Sequence, residues 1–223
     1  KAYVETYVHT LTHELKSPLA AIRGAAELLE EDLPEPDRQR FAGNIQRQTE
    51  RLRQLIDKLL RLADVEQLRS LSQREPVDLS ALTRELLQRV EPRLHLKGLQ
   101  VRDELGQGQT VRGDRFLLGQ ALQNLLDNAI DFSPGQGELW LRLDREDDAL
   151  VWSVRDQGPG MPDYALAHIF ERFYSLPRGE AQDKSSGLGL CLVKDVSDLH
   201  HGEIQVANVE NPPGCMARWR LPI

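Results

Sequence analysis

Apolar residues recur along the first part of the chain at spacings that alternate between four and three. The members of this series are Val4, Val8, Leu11, Leu15, Pro18, Ile22, Ala25 and Leu29. A mean spacing of about 3.5 residues is the period of a coiled-coil seam. The pattern therefore predicts a helix that runs from near the start of the chain to about Glu31 and buries one stripe.

His13 lies between Leu11 and Leu15, about half a turn from this seam, so its imidazole is predicted to face water. An isolated exposed histidine is more often a solvated side chain than a functional one. The neighbours of His13 favour function, because Glu14 can orient or deprotonate the ring and leave a neutral nitrogen free to attack. Pro18 removes a backbone donor within one turn of His13 and predicts a bend there.

A second seam with the same spacing follows a turn at 32–37 that contains two prolines. Its members are Phe41, Ile45, Gln48, Leu52, Leu55, Leu59 and Leu62. Ile56 and Leu60 widen this stripe beyond what one partner helix covers. Two helices joined by a short turn form an antiparallel hairpin. We expect hairpins from two copies of the chain to pair into a four-helix bundle, which makes the expected state a homodimer.

Residues 70–76 lack periodicity and are predicted to link a helical domain at 1–69 to an α+β domain at 77–223. In the second domain, Ser80 is predicted to cap a helix that a Glu85–Arg89 pair supports. The predicted elements are helices at 80–96, 116–132, 164–170 and 187–200, and strands at 98–102, 110–112, 138–143, 150–154, 204–206 and 216–221.

Composition narrows the function classes. The 223 residues can bury one good core and a smaller unit, and the net charge of −7 argues against a general nucleic-acid binder. Two distant cysteines, Cys191 and Cys215, favour a reducing compartment. No apolar run approaches the roughly 18 residues of a membrane span, and no segment resembles a signal peptide. Because the chain begins with Lys1 rather than Met, inside a helical repeat, we expect a piece of a longer protein.

Asn124 and Asn128 lie four residues apart on a predicted helix, so they share one face, opposite its apolar stripe. Neutral amide oxygens suit Mg²⁺ where phosphates already supply negative charge. Two polar residues on a solvated face are an equally good interpretation of this pair alone.

Asp156, Gly158 and Gly160 directly follow a predicted strand. Glycines allow a close backbone approach, and a carboxylate there can accept a hydrogen bond from an exocyclic amine such as that of adenine. Taken alone, this pattern is weak, because many turns after strands look the same.

Gly187 and Gly189 open a predicted helix and follow a polar stretch at 178–186. Glycines at a helix N-terminus present backbone N–H groups and the positive end of the dipole to phosphate. Close loop packing is the alternative. Aromatic residues bracket Arg172, which predicts an anchor for a mobile lid at about 171–186 or else a plain core contact.

The order of these motifs resembles the transmitter core of sensor histidine kinases from two-component systems. The resemblance covers essentially the whole chain. It implies a dimerising phosphotransfer hairpin followed by a Bergerat-type ATP-binding sandwich of the kind shared with gyrase-like ATPases.

The resemblance also implies site residues and partners. His13 would attack the γ-phosphate of ATP, with Glu14 as base, and a response-regulator aspartate would receive the phosphoryl group. Asn128 would bind Mg²⁺. The residues implied for nucleotide binding are Asn124, Asn128, Phe132, Asp156, Gly158, Gly160, Arg172, Gly187, Leu188 and Gly189. The longer parent protein is expected to be anchored in a bacterial inner membrane, while this fragment touches neither membrane nor nucleic acid.

Three positions depart from the pattern of the family. Asp131 stands where many relatives carry a lysine, which leaves a phosphate-facing cation to Arg172, Arg178 or Lys184. Ser185 replaces a frequent glycine, and Ser17 stands where phosphatase-competent relatives usually have Thr or Asn. Asp131 and Ser185 motivate an alternative function, a dimeric nucleotide-binding scaffold that has lost catalysis. A gyrase-like or chaperone-like ATPase is a third hypothesis, but it has no use for an exposed His-Glu pair.

Overall fold

A computed structural model describes residues 2–68, 70–71, 74–176 and 186–223. The described chain divides into two compact units. The first comprises residues 1–64 and 172–188, and the second comprises residues 65–171 and 189–223. The predicted domain limits, 1–69 and 77–223, stay predictions.

The first unit contains two long helices. They are α1, Ala2–Leu29, and α2, Glu35–Gln67, whose last residues belong to the second unit. This is the helical hairpin that the two seams predict. The turn is shorter than predicted, because Pro36 lies inside the first turn of α2. Proline is tolerated there, since the backbone N–H that it lacks has no acceptor within the helix.

The second unit is an α+β sandwich, as predicted. Its elements in chain order are β1 (Glu75–Asp78), α3 (Leu79–Lys97), β2 (Gln100–Glu104), β3 (Thr110–Gly113), α4 (Arg115–Phe132), β4 (Glu138–Glu146), β5 (Ala149–Arg155), α5 (Asp163–Leu166), α6 (Gly189–Leu199), β6 (Glu203–Val209) and β7 (Gly214–Pro222). Five strands form one sheet in the order β2-β4-β5-β7-β6, and only β2 and β4 are parallel. Strands β1 and β3 form a separate antiparallel pair.

Strand β1 was not predicted, and it begins at Glu75, inside the predicted linker at 70–76. Four residues that pair with β3 are too few to show a period of two in the sequence. Residues 72 and 73 of that linker lie outside the described residues.

Helix α3 corrects two local predictions. Its N-cap is Asp78, whose carboxylate accepts from the N–H of Ala81 at 3.0 Å. Ser80 lies inside the helix and donates its hydroxyl to the carbonyl of Leu105. Glu85 pairs with Arg115 of α4 at 2.7 Å rather than with Arg89, because the tertiary fold brings a guanidinium to it.

Helices α3 and α6 are tied to the sheet through two fully buried indoles. Trp152 on β5 donates to the hydroxyl of Thr83, and Trp219 on β7 donates to Ser197, each at 3.0 Å. Buried indole N–H groups need such acceptors, because an unsatisfied one costs about 1–3 kcal/mol. One face of the sheet is thereby covered by helices.

The other face of the sheet carries paired charges. Arg102 pairs with Glu138 and Arg218 with Glu146 between strands, and Arg220 pairs with Asp148 in the turn between β4 and β5. Within the described residues, no helix combines the length and apolarity that crossing a lipid bilayer requires.

Candidate functional site

His13 is exposed on α1, whereas Leu11 and Leu15 on either side of it are partly buried. The prediction from the spacing of the seam is therefore confirmed. Ser17 follows one turn later on the same face and is also exposed. Pro18 is buried, and α1 continues through it to Leu29. The bend that we predict at Pro18 stays a prediction.

Asn124 and Asn128 are both partly buried on α4, not fully solvated. The amide nitrogen of Asn124 donates to the carbonyl of Gln120 at 2.9 Å. Its oxygen would lie 3.0 Å from a Cβ built on Gly189, so the first residue of α6 packs against it. The fold thus brings together two predicted site residues that are 65 positions apart in the sequence. The amide of Asn128 makes no hydrogen bond to any residue that the structure describes.

Asp156 is held by backbone donors from two directions. Its Oδ1 accepts from the N–H of Gly158 at 2.7 Å and from the N–H of Cys215 at 3.1 Å. Its own N–H donates to the carbonyl of Cys215. Both side-chain bonds use Oδ1, so Oδ2 keeps its acceptor capacity toward an incoming amine.

Asp156 is only 7 % exposed, and this burial raises its pKa above the ordinary value. The two backbone hydrogen bonds and the charge of Arg155 oppose that rise. Burial also raises the pKa of the Cys215 thiol to about 12, and the neighbouring Asp156 adds to the effect. Cys215 is therefore a neutral packing residue whose backbone, not its sulfur, serves the site.

Gly158 is packed against the end of α4. A Cβ at this position would lie 2.8 Å from the carbonyl oxygen of Phe132 and 2.9 Å from Oδ1 of Asp156. Three residues that the sequence singled out, Phe132, Asp156 and Gly158, are therefore in direct contact.

Arg172, Gly187 and Leu188 belong to the first unit. The N–H of Phe173 donates to the carbonyl of Gly187 at 2.9 Å, which joins the two ends of the predicted lid. Arg172 is partly buried, and Leu188 is only 2 % exposed. Most of the lid, including Arg178, Lys184 and Ser185, lies outside the described residues.

Asp131 is neutralised by cations from α3, which the sequence did not indicate. Arg93 donates to Asp131 at 2.9 Å and also pairs with Asp127. Lys97 donates to the carbonyls of Ile130 and Asp131 at 2.6 and 2.8 Å. The two cations of α3 therefore balance the two carboxylates, Asp127 and Asp131, in the last turns of α4.

The sequence also missed three residues on the strands β6 and β7: Asn208, Gly214 and Cys215. Gly214 lies directly against Asp156, and a Cβ there would overlap the carbonyl oxygen of Asp156. A turn rich in proline precedes Gly214 in the sequence and marks the start of a strand. No local signal shows that this strand runs beside Asp156.

We expect Gly214→Ala to weaken ATP binding and to lower the free energy of unfolding by about 1–3 kcal/mol, because the added methyl must displace the backbone of Asp156. Thermal denaturation and ATP titration measure the two effects. Gly119→Ala is the matched control, since its methyl would meet Leu82 at an ordinary 3.6 Å. Equal behaviour of the two variants would contradict the packing argument.

His200 connects the end of α6 to the start of α4. Its Nδ1 lies 2.8 Å from the carbonyl of Val196, and its Nε2 accepts from the N–H of Asp114 at 3.0 Å. Both contacts are satisfied only by the neutral ring with its proton on Nδ1. Burial lowers the pKa of His200 below its ordinary value of 6.5, although Val196 and the charge of Asp114 oppose this, while Arg74 and His201 reinforce it.

The free energy of unfolding is therefore expected to decrease as the pH is lowered. The unfolded chain takes up a proton on His200 at a higher pH than the folded chain does. The stabilisation is complete above the unfolded pKa of 6.5 and is lost as pH falls through the lower folded pKa. Urea denaturation at about pH 7.5 and about pH 5 measures the loss, and His200→Gln should reduce it, whereas exposed His95→Gln should not. If His200→Gln lost as much unfolding free energy between these two pH values as the unaltered chain does, His200 would not be the group responsible.

Comparison with known proteins gives consistent results for both parts of the chain. Residues 4–68 match the family described as "His Kinase A (phospho-acceptor) domain". Residues 113–223 match "Histidine kinase-, DNA gyrase B-, and HSP90-like ATPase". The Escherichia coli sensor protein CreC is 45 % identical over 99 % of this chain and 46 % of its own length. The chain thus spans about half the length of the curated relatives it matches.

Solved structures agree in fold. A mycobacterial sensor histidine kinase, MprB, is 34 % identical, covers 67 % of this chain and 97 % of its own, and has a TM-score of 0.59. The histidine kinase ThkA, solved in complex with the response regulator protein TrrA, covers 99 % of this chain and 62 % of its own with a TM-score of 0.80. At 22 % identity, that second likeness shows the fold alone. The two family matches and the likenesses to CreC and MprB show that the chain belongs to the sensor histidine kinases.

Proposed function

We propose that this chain is an ATP-dependent protein-histidine kinase that phosphorylates itself on His13. The observation that carries the proposal is the exposed His13 beside Glu14, within the residues that match the phospho-acceptor family. A nucleophile must be reachable, and the imidazole is on the open side of its helix.

The nucleotide is proposed to bind in the second unit. Oδ2 of Asp156 would accept a hydrogen bond from the exocyclic amine of adenine, while Oδ1 stays tied to the backbone. Gly158 and Gly160 would shape this pocket, and Phe132 would line it. Phosphates would bind at the start of α6, where Gly189 presents a backbone N–H close to Asn124. Arg172, Gly187 and Leu188, which the sequence also predicts for nucleotide binding, belong to the first unit, and their role stays a prediction.

Magnesium is proposed to bind at Asn128. Within the described residues, no three acidic, histidine or cysteine side chains are close enough to hold a metal ion by themselves. The unbonded amide oxygen of Asn128 nevertheless fits Mg²⁺, which usually takes a few protein ligands and completes its shell with phosphates and water. When bound, the ion supplies charge that neutralises the triphosphate.

Two residues of the chain are proposed to take part directly in the transfer, His13 as the nucleophile and Glu14 as the base. A neutral ring nitrogen of His13 forms a bond to the γ-phosphorus while the bond from that phosphorus to the bridging oxygen breaks, and ADP leaves. Glu14 accepts the proton that the imidazole loses. The phosphoryl group then passes from His13 to an aspartate of a response-regulator receiver domain. ThkA binds such a protein in its solved complex.

A homodimer is proposed from the uncovered apolar side chains of the helical hairpin. Leu19, Ile56 and Leu60 are between 48 and 60 % exposed in the single chain. A second hairpin would cover them and complete a four-helix bundle.

The exposed Ser17 is proposed to orient a water for the reverse, phosphatase reaction. The chain is proposed to be the cytoplasmic portion of a parent protein anchored in the bacterial inner membrane.

Labelling with γ-labelled ATP tests the kinase against its alternatives. A phosphohistidine predicts label on the protein that acid removes and base leaves in place. The scaffold hypothesis, motivated by Asp131 and Ser185, predicts ATP binding without any label. An ATPase predicts steady release of phosphate without a phosphoprotein. The pairing of Asp131 with Arg93 favours the kinase, because it removes the repulsion that a lone carboxylate would exert on phosphate.

A further inference from the structure

Asn208 on β6 makes a pair of hydrogen bonds with a single peptide residue in the loop after Asp156. Its Oδ1 accepts from the N–H of Met161, and its Nδ2 donates to the carbonyl of the same residue, each at 2.7 Å. The side-chain amide thereby makes the same two kinds of hydrogen bond that the backbone of a neighbouring strand would make. Of the side chains of this length, only asparagine offers both an acceptor and a donor in this geometry.

This pair closes the loop at the end away from Asp156. At the near end, the N–H of Asp156 donates to the carbonyl of Cys215, and the N–H of Cys215 donates to Oδ1 of Asp156. Cys215 and Asn208 are direct partners in the antiparallel β6–β7 ladder. One rung of the sheet therefore holds both ends of the segment at 156–161.

Gly160 shows how tightly the loop is set against Asn208. It has a φ of +73°, and a Cβ on it would lie 2.9 Å from Oδ1 of Asn208. Any other residue would be strained in this conformation and would push the amide away. The loop is therefore packed directly against the amide of Asn208.

We propose that Asn208 is a positioning residue for recognition of the purine base. It does not touch the nucleotide itself. It holds the Gly158–Met161 backbone so that Oδ2 of Asp156 faces the exocyclic amine of adenine, and it thereby determines the preference for adenine over a purine without that amine. The inference rests on the proposed function of Asp156.

The test compares ATP with inosine triphosphate, which lacks the amine, in labelling of His13. For Asn208→Ala we expect the KM for ATP to rise about tenfold, because two hydrogen bonds that hold the loop are lost, while kcat changes by less than about twofold. The KM for inosine triphosphate should change little, so the ratio of kcat/KM between the two nucleotides should fall toward one. Asn208→Asp keeps the acceptor for Met161 and should give an intermediate ratio.

Gln205→Ala is the matched control, because Gln205 lies on the same strand and its side chain, within the described residues, bonds only to Glu203. It should leave both KM values unchanged. An equal loss with the two nucleotides, or a lower melting temperature without a change in their ratio, would show that Asn208 is merely structural and would overturn the proposal.

If the unaltered chain binds ATP but does not label His13, the proposed kinase fails and the positioning role is still measurable. The ratio of the dissociation constants for the two nucleotides, obtained by equilibrium dialysis, then replaces the ratio of kcat/KM. If the unaltered chain binds both nucleotides equally, the role assigned to Asn208 is wrong.

Discussion

Replacing His13 by glutamine is expected to abolish phosphorylation of the chain. Glutamine keeps a polar side chain of similar reach at an exposed helical position, so α1 should fold as before. It has no ring nitrogen that can attack phosphorus. Incorporation of γ-label should fall by about a thousandfold or more, because the nucleophile itself is removed.

The matched control is His95→Gln, which changes another exposed histidine, in the second unit. It should label at the rate of the unaltered chain. ATP binding by His13→Gln should also be unchanged, since His13 makes no part of the proposed adenine pocket. Persistent acid-labile label in His13→Gln would mean that another residue accepts the phosphoryl group.

Replacing Asp156 by asparagine is expected to weaken ATP binding strongly. The carbonyl oxygen of the new amide can still accept from the N–H groups of Gly158 and Cys215, so the loop should keep its shape. The NH₂ group takes the place of Oδ2 and would point a donor at the donor of adenine. Loss of a charge-assisted hydrogen bond costs about 1.5–3 kcal/mol, which raises the dissociation constant by between about tenfold and about a hundredfold.

Equilibrium dialysis with labelled ATP measures this change. Asp144→Asn is the control, because that carboxylate pairs with Arg142 on the face of the sheet away from the helices. Inosine triphosphate has a carbonyl oxygen in place of the amine and should bind Asp156→Asn better than it binds the unaltered chain, because the new NH₂ group can donate to that oxygen. Unaltered ATP affinity in Asp156→Asn would remove Asp156 from the recognition of adenine.

Much of the fold could be predicted because the signals are local. The seams predicted α1 and α2, and α4 differs from its prediction by one residue at its start. The predicted strand hairpin is the antiparallel pair β4 and β5. Errors arose where a tertiary partner competes with a local one, as at Glu85, which pairs with Arg115 from α4.

The candidate site could be predicted less completely. Asn124, Asn128, Asp156 and the glycines were found because each stands in a short motif. Asn208 and Cys215 carry no motif, and they are 47 and 59 residues away from the loop residues that they hold. Arg93, which neutralises Asp131, is likewise 38 residues away on another helix.

The sequence by itself determined that His13 is exposed, because a helix of known period places each residue on a face relative to its neighbours. It also showed that a carboxylate, Asp156, and several glycines stand in the turns proposed to bind the nucleotide. Only the tertiary structure decided how Asp156 is held, with one oxygen bound to two backbone donors and the loop beyond it fixed by Asn208. The reason is that strand register sets those contacts, and register depends on how the whole sheet packs against its helices.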